Sequence, residues 1–394
     1  MRAALTAVGL SPARRALLAA VSVNLAGVLP LFLTGALSVQ IGRDFGLNPA
    51  ELGVVLAGFA LVSVLFSAPL GARVGRLGIT PSLRTSAAIA GVVLLACGVA
   101  PDRWWLAAAL ALGGMANALG QTSSNALIAA RVSARRFGIA YAIKQSAIPL
   151  AILLGGLAVP TIALTLHWRA AFLVAAAGAV VAALIVPPAV LPVPGRAERP
   201  LAPDQRGPVW LLSLGLVAAV VAATSIGAHA ASAAVAIGFS EATAGLLLAA
   251  GGLAGLAVRL AAGLRADRVS GGALTAAAVL VVAGAGGWAL MATGIPALFV
   301  VGLMAANAFG WGWPGLIHLA VARRYPESTA AASGVTQTGV AFGLFVGPVL
   351  IGVIAVQAGW TWAWAAASLA ALTGAGIILW ARTRLLSSRR TPVP

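Results

Sequence analysis

Twelve apolar stretches, each about long enough to cross a bilayer, fill almost the whole of this chain. They lie near 16–40, 49–70, 82–100, 104–127, 137–160, 168–190, 209–235, 241–263, 272–293, 295–320, 329–351 and 358–381. A helix needs roughly 20 apolar residues to span the hydrocarbon. In lipid, only helices and closed barrels satisfy their own backbone groups, and runs this long are helical. The expected fold class is therefore an all-α membrane protein with 12 transmembrane helices. Charged residues make up only 8% of the chain and hydrophobic ones 61%, against about 25% charged in a soluble domain.

The formal net charge of +17 suggests a nucleic-acid partner until the charges are placed. With the N-terminus in the cytoplasm, Arg14, Arg15, Arg73, Arg76, Arg84, Arg131, Arg135, Arg136, Arg265, Arg268, Arg323 and Arg324 fall on the inner side, while Arg43, Arg103 and Arg169 lie outside. This is the positive-inside bias, repeated on alternate loops. The basic excess is a topology signal, so the expected partners are the lipid bilayer and a small-molecule substrate, with no nucleic acid. Both termini are expected in the cytoplasm of a bacterial plasma membrane, and the protein is expected to work as a monomer. Arg14 and Arg15 precede an apolar run too long for a cleaved signal peptide. Cys97 is the only cysteine, which excludes a disulfide or cysteine–metal framework. No cofactor is expected, and no nucleotide loop or nucleophile constellation supports an enzyme.

The chain also repeats itself. At an offset of 192 residues Arg73 and Arg76 fall on Arg265 and Arg268, Arg131 on Arg323, Gln145 on Gln337 and Trp168 on Trp360. Glycine matches are cheap in so glycine-rich a chain; matches of Arg, Gln and Trp are not. Two homologous halves of an apolar chain point to a carrier with its site between them. The expected organisation is a six-helix unit over 1–190, a linker over 191–208 and a second six-helix unit over 209–394. The linker follows from Pro192, Pro194, Pro200 and Pro203, a density that favours extended chain. Trp104, Trp105, Trp168, Trp360 and Trp362 cluster at outer ends, where they are expected to anchor in the headgroup layer; Trp311 and Trp313 lie too deep for that.

The loop after the second stretch reads Gly71-Ala72-Arg73-Val74-Gly75-Arg76-Leu77-Gly78, and that after the eighth Gly263-Leu264-Arg265-Ala266-Asp267-Arg268. Both resemble the G-x-x-x-D-R-x-G signature of the major facilitator superfamily. Phe45-Gly46-Leu47-Asn48-Pro49, Ile237-Gly238-Phe239-Ser240-Glu241 and His167-Trp168-Arg169-Ala170-Ala171-Phe172 are similar to other parts of that family. The resemblance covers nearly the whole chain. It implies the major facilitator fold, two pseudo-symmetric six-helix bundles rocking about a central cavity. Spans 1, 4, 7 and 10 would line the cavity, and spans 2, 5, 8 and 11 would form the interface. It also implies a latch from the loop acid, here with a departure: Gly75 stands where the family carries aspartate. The expected gating residues are Arg76, Asp267 and Arg268, with the second-half copy carrying the role.

Ionisable residues within membrane spans default to functional candidates. Lys144 lies in span five beside Tyr141 and Gln145, Arg259 in span eight, His229 in span seven and His318 in span ten, while no Asp or Glu sits well inside a span. Without a buried carboxylate the chain lacks what a cation exporter needs. Lys144 and Arg259 would face each other across the halves and clamp one carboxylate. The arrangement of Arg259 and Gly263 is similar to that in oxalate–formate and monocarboxylate carriers of the family, where the arginine binds substrate carboxylate; the alternative is an Arg259 that snorkels to the headgroups. Asn117, Gln121 and Asn125 form one polar stripe on span four, either cavity lining or interhelical hydrogen bonding. Asn24, Asn307, Trp311, Gln337 and Tyr141 complete the expected substrate site. His229 and His318 are the proton-coupling candidates, with a structural role as the alternative. The expectation is a secondary transporter of a small organic anion, by proton symport or exchange; the alternative is an efflux pump for neutral or amphipathic drugs.

Overall fold

The computed structural model describes residues 11–188, 200–268 and 271–387. Helix starts follow from local chemistry. Pro12 opens α1 (Pro12–Ala36) behind the cap Ser11, whose side chain accepts from Arg14 N, a position where proline loses nothing. A short α2 (Ser38–Phe45) follows. Asn48 and Glu51 form a reciprocal capping box at the head of α3 (Pro49–Leu77), satisfying two otherwise orphaned N–H groups. After α4 (Ile79–Gly98), the Asp102 carboxylate accepts from Trp104 N and Trp105 N to start α5 (Arg103–Arg131).

Proline interrupts two of the expected spans. The fifth is divided into α6 (Phe137–Gln145) and α7 (Ala147–Ala158), continued by a π turn at Val159–Ala163. Pro149 and Pro160 each lack the N–H that an unbroken ladder requires. Then come α8 (Trp168–Ile185), α9 (Pro203–Ala236), α10 (Glu241–Arg268) and α11 (Ala273–Ala292). The tenth span breaks at Trp311–Trp313 into α12 (Pro296–Gly310) and α13 (Pro314–Arg324). Finally α14 (Thr329–Ala358) and α15 (Trp360–Ser387) complete the chain.

One expectation is met in part and two change. Eleven of the twelve expected spans are, among the described residues, long and apolar enough to cross a membrane. The one missing is α5, whose Asn117, Gln121, Thr122, Ser123, Ser124 and Asn125 lower its hydropathy although it is helical throughout. The linker expected over 191–208 ends early, because Pro203 opens α9 from its first turn; residues 191–199 lie outside the described residues. Trp168 is not an interfacial anchor: it is buried, and its indole N–H donates to Asp44 Oδ2 at 2.9 Å. Trp104 and Trp362 do stand exposed, at 73% and 65%.

Helices of the first half pack chiefly on one another, α3 and α4 on α5 and α1 on α5, α7 and α8; those of the second half do likewise, α9 on α14 and α15 and α11 on α12 and α15. The halves meet along α3–α14 and along α6–α7 against α10. These seams are closed by glycine. A Cβ on Gly53 would sit 2.4 Å from Pro348 O, on Gly156 2.5 Å from Ala249 N, and on Gly252 2.6 Å from Leu153 N. Small residues are what lets helix backbones approach this closely in lipid.

Candidate functional site

A cavity of about 70 Å³ lies between the halves. Its wall includes Val28 and Phe32 of α1, Asn117 and Gln121 of α5, Leu216 and Val220 of α9, Trp311 and Trp313 at the α12–α13 break, and His318 of α13. The resemblance led to expect these four spans there; Phe59, Gln145, Ile148, Gln337, Val340 and Leu344 add to them from α3, α6, α7 and α14. Several of these residues are mates at the 192-residue offset: Val28 with Val220, Gln121 with Trp313, Gln145 with Gln337, Ile148 with Val340. The repeat read in sequence thus reappears as two facing walls.

The wall is mostly aliphatic and aromatic, with a small set of amides. Asn117 Nδ2 donates to Ser63 Oγ at 2.9 Å, leaving its buried Oδ1 without a partner. The Trp311 ring meets Phe32 edge-on at 6.3 Å, and its indole N–H is also unpartnered. Gln145 Nε2 lies 3.0 Å from His318 Nε2, and His318 stacks on Tyr141 at 5.9 Å. A polar rim of this kind on an apolar wall orients a ligand that carries both kinds of surface.

Lys144 and Arg259 stand behind this wall, both buried, and neither is among the residues that line the cavity. The expected face-to-face clamp is absent. Lys144 Nζ turns into its own half and donates to Gln121 Oε1 at 2.6 Å, Asn125 Oδ1 at 2.7 Å and Gln121 O at 3.5 Å. Three acceptors match the three donors of an ammonium, so the polar stripe of α5 serves chiefly to hold this lysine. Arg259 does not snorkel; its Nη1 donates to the main-chain carbonyl of Gln145 and its Nη2 to that of Trp311. Among the described residues, no carboxylate lies within ion-pair distance of either cation.

The remaining expected site residues lie elsewhere. Asn24 donates to Ala20 O at 2.6 Å and Ser124 Oγ at 2.8 Å, tying α1 to α5. Asn307 donates to Leu303 O and packs on Gly251 and Gly255. His229 is buried away from the cavity, its Nε2 2.7 Å from Pro348 O. In this conformation each of the three donates or bonds to a helix backbone or hydroxyl, while Asn24 Oδ1, Asn307 Oδ1 and His229 Nδ1 stay buried without a partner.

Both ends of the site are closed by contacts between the halves. Towards Glu241, Gln40 Nε2 donates to Glu241 Oε2 at 2.7 Å, Arg43 pairs with the same carboxylate, and Ser38 and Ser232 hydroxyls meet at 2.7 Å. At the arginine-rich end, Asp267 accepts from Gly138 N at 2.8 Å and Ile139 N at 2.9 Å, capping α6. An anion at a helix N-terminus gains from the unpaired N–H groups and the dipole. Of the expected gating residues, Asp267 caps a helix of the other half; Arg268 makes no ion pair with it among the described residues, and the Arg76 side chain lies outside the described residues.

A larger groove of about 380 Å³ between α1, α7 and α8 holds none of the expected site residues; its wall is aliphatic apart from Ser22 and Thr161. Leu154, Leu157 and Val174 on it are exposed, as expected of a surface facing lipid tails.

The sequence reading leaves Gln145 and Trp313 out of the anion site, with Trp313 an aromatic contact only in the drug-export alternative, and does not single out Phe32 or Phe59. The repeat could have found the first two, since their mates Gln337 and Gln121 were already expected there; nothing in the sequence singled out the phenylalanines.

The sequence profile described as Major Facilitator Superfamily matches residues 16–338. Among solved structures, the crystal structure of the human organic anion transporter MFSD10 (TETRAN) is similar, with a TM-score of 0.71 at 16% identity, covering 95% of this chain and 100% of that one. A search of the curated proteins finds no match.

Proposed function

This chain belongs to the major facilitator superfamily of membrane transporters, and from that premise we propose that it carries an amphipathic organic anion, a carboxylate with an apolar body, by alternating access. Two six-helix bundles of twelve spans rock about the central cavity, with the arginine-rich end in the cytoplasm. Coupling is to protons or to a counter-anion, and one chain suffices for transport.

The observation that carries the cargo class is the pair of buried cations beside the cavity, held only by carbonyl and amide oxygens. Such dipoles compensate a buried charge in part, so the space in front of Gln121 and Gln145 keeps a positive field that repels cations and attracts anions. The aliphatic wall suits the remainder of the molecule. Asn117 Oδ1 and the Trp311 N–H are buried at this wall without partners and meet a donor and an acceptor on the cargo only when the halves part. The name of the human protein that shares this fold agrees with the cargo class; at 16% identity it supports the fold and not the substrate.

A second reading, export of neutral amphipathic compounds, draws on the same aliphatic wall. Uptake of radiolabelled carboxylates into proteoliposomes decides between them. Anion uptake that depends on Lys144 supports the first. No anion uptake, together with drug protection of a pump-deficient host by both wild type and Lys144→Met, supports the second.

A further inference from the structure

Arg259 is a large buried side chain that pairs with no acid among the described residues, and two of its nitrogens are occupied by main-chain carbonyls from opposite halves. Both carbonyls are orphans of helix breaks. In the fifth span the ladder runs on either side of Gln145: Ser146 N donates to Ala142 O, and Leu150 N to Ser146 O. The Gln145 carbonyl would take the N–H of residue 149, but residue 149 is proline and has none. In the tenth span, Pro314 restarts the helix after Trp311–Trp313, and Leu316 N bonds to Trp313 O. This leaves the Trp311 carbonyl outside the ladder. In a membrane such freed carbonyls must find donors within the protein. A guanidinium presents several in a fixed fork.

We infer that Arg259 is a strap between the halves, a positioning residue that holds Gln145 and Trp311 by their backbones and so sets their cavity-lining side chains. Its two bonds must be exchanged whenever the halves separate around the cavity. Arg259 itself touches no cargo in this arrangement. Gly138, Gly263, Gly312 and Gly315, with Ala142 and Leu316, line a gap beside it too narrow for a water molecule. The inference rests on the chain being a transporter and not on which molecule it carries.

The test reads the seam without cargo. Cysteines replace Ser133 in the first half and Pro326 in the second, both exposed near the arginine-rich end, in a Cys97→Ala background. Spin-label distances are then measured in nanodiscs of phosphatidylethanolamine and phosphatidylglycerol. Arg259→Gln is expected to raise the ratio of long to short distances about tenfold, equivalent to ~1.4 kcal/mol. Arg259→Lys is expected to behave similarly, since a single Nζ on a shorter stem replaces two separately directed Nη groups. Pro149→Ala returns an N–H to compete for the Gln145 carbonyl, so alone it gives a smaller shift in the same direction. On that background Arg259→Gln adds less than it does alone, a non-additivity expected of residues sharing one partner. Unchanged distances in Arg259→Lys and Pro149→Ala overturn the strap even if Arg259→Gln fails to fold, and so does full additivity. Failure of anion uptake with these distance shifts intact sinks the cargo reading and leaves the strap standing.

Discussion

Lys144 is the residue on which the cargo reading turns. Its ammonium is buried among Gln121 Oε1, Asn125 Oδ1 and Gln121 O, so removing it does two things. Lys144→Met takes away the charge and also leaves two half-buried amide oxygens without that donor, at a cost of up to about 1 kcal/mol. Anion uptake into proteoliposomes is expected to fall by about tenfold or more, the equivalent of ~1.4 kcal/mol in transition-state or binding free energy. The thermal midpoint in detergent should drop as well. Equal uptake by mutant and wild type would remove the lysine from the mechanism. A second residue-scale prediction concerns Asp44, at the end opposite the arginine-rich one. The Trp168 indole N–H lowers its pKa most, with Arg169 and His167 lowering it further and burial opposing them. A carboxylate depressed on folding contributes stability that is present above its unfolded value of 3.8 and is lost as pH falls through the lower folded value. Acid-induced loss of tryptophan signal from the folded state should therefore occur in two parts in wild type. Asp44→Asn should lack the component below pH 3.8; an unchanged acid profile would show that the Trp168–Arg169 cluster is not the group titrating.

At the scale of elements, the α7–α10 seam is a contact that tolerates no added side chain. The would-be Cβ of Gly252 meets Leu153 N at 2.6 Å and Pro149 O at 2.7 Å, both backbone atoms that cannot move aside. Gly252→Val is expected to force α10 away from α7 at a cost of about 1–3 kcal/mol, seen as a lower thermal midpoint and a smaller monomeric peak. Gly286→Val, on α11 where nothing lies within 4 Å, should leave both unchanged. The same seam shows how far elements were legible beforehand. Helix starts at Pro12, Pro49 and Arg103 follow from Ser11, Asn48 and Asp102, because capping is a local interaction. The breaks at Ser146 and Trp311–Trp313 were less visible. Pro149 and Pro314 mark them, but a proline in a membrane helix also occurs where neighbouring donors restore the lost bonds. Only the position of Arg259 tells which carbonyls were left free and what took them up.

For the whole molecule, orientation is the property most directly open to test. Single cysteines at Ser133 and Thr293, exposed on loops at opposite ends, should divide cleanly with a membrane-impermeant maleimide in intact cells. Thr293→Cys is expected to label and Ser133→Cys to stay unlabelled until the membrane is opened. The reverse pattern would invert the topology and with it the side of the membrane on which Asp267 caps α6. The chain alone determined what depends on composition and on neighbours along the helix: its place in a membrane, the positions of nearly all its spans, the duplication, and the short inventory of buried cations without buried acids. The tertiary structure decided what those cations do. Whether Lys144 and Arg259 meet across a cavity or turn to oxygens on separate helices depends on how helices far apart in sequence rotate against one another. Spacing along the chain carries no record of that rotation, whereas packing to glycine backbones and the need of every freed carbonyl for a donor fix it in space.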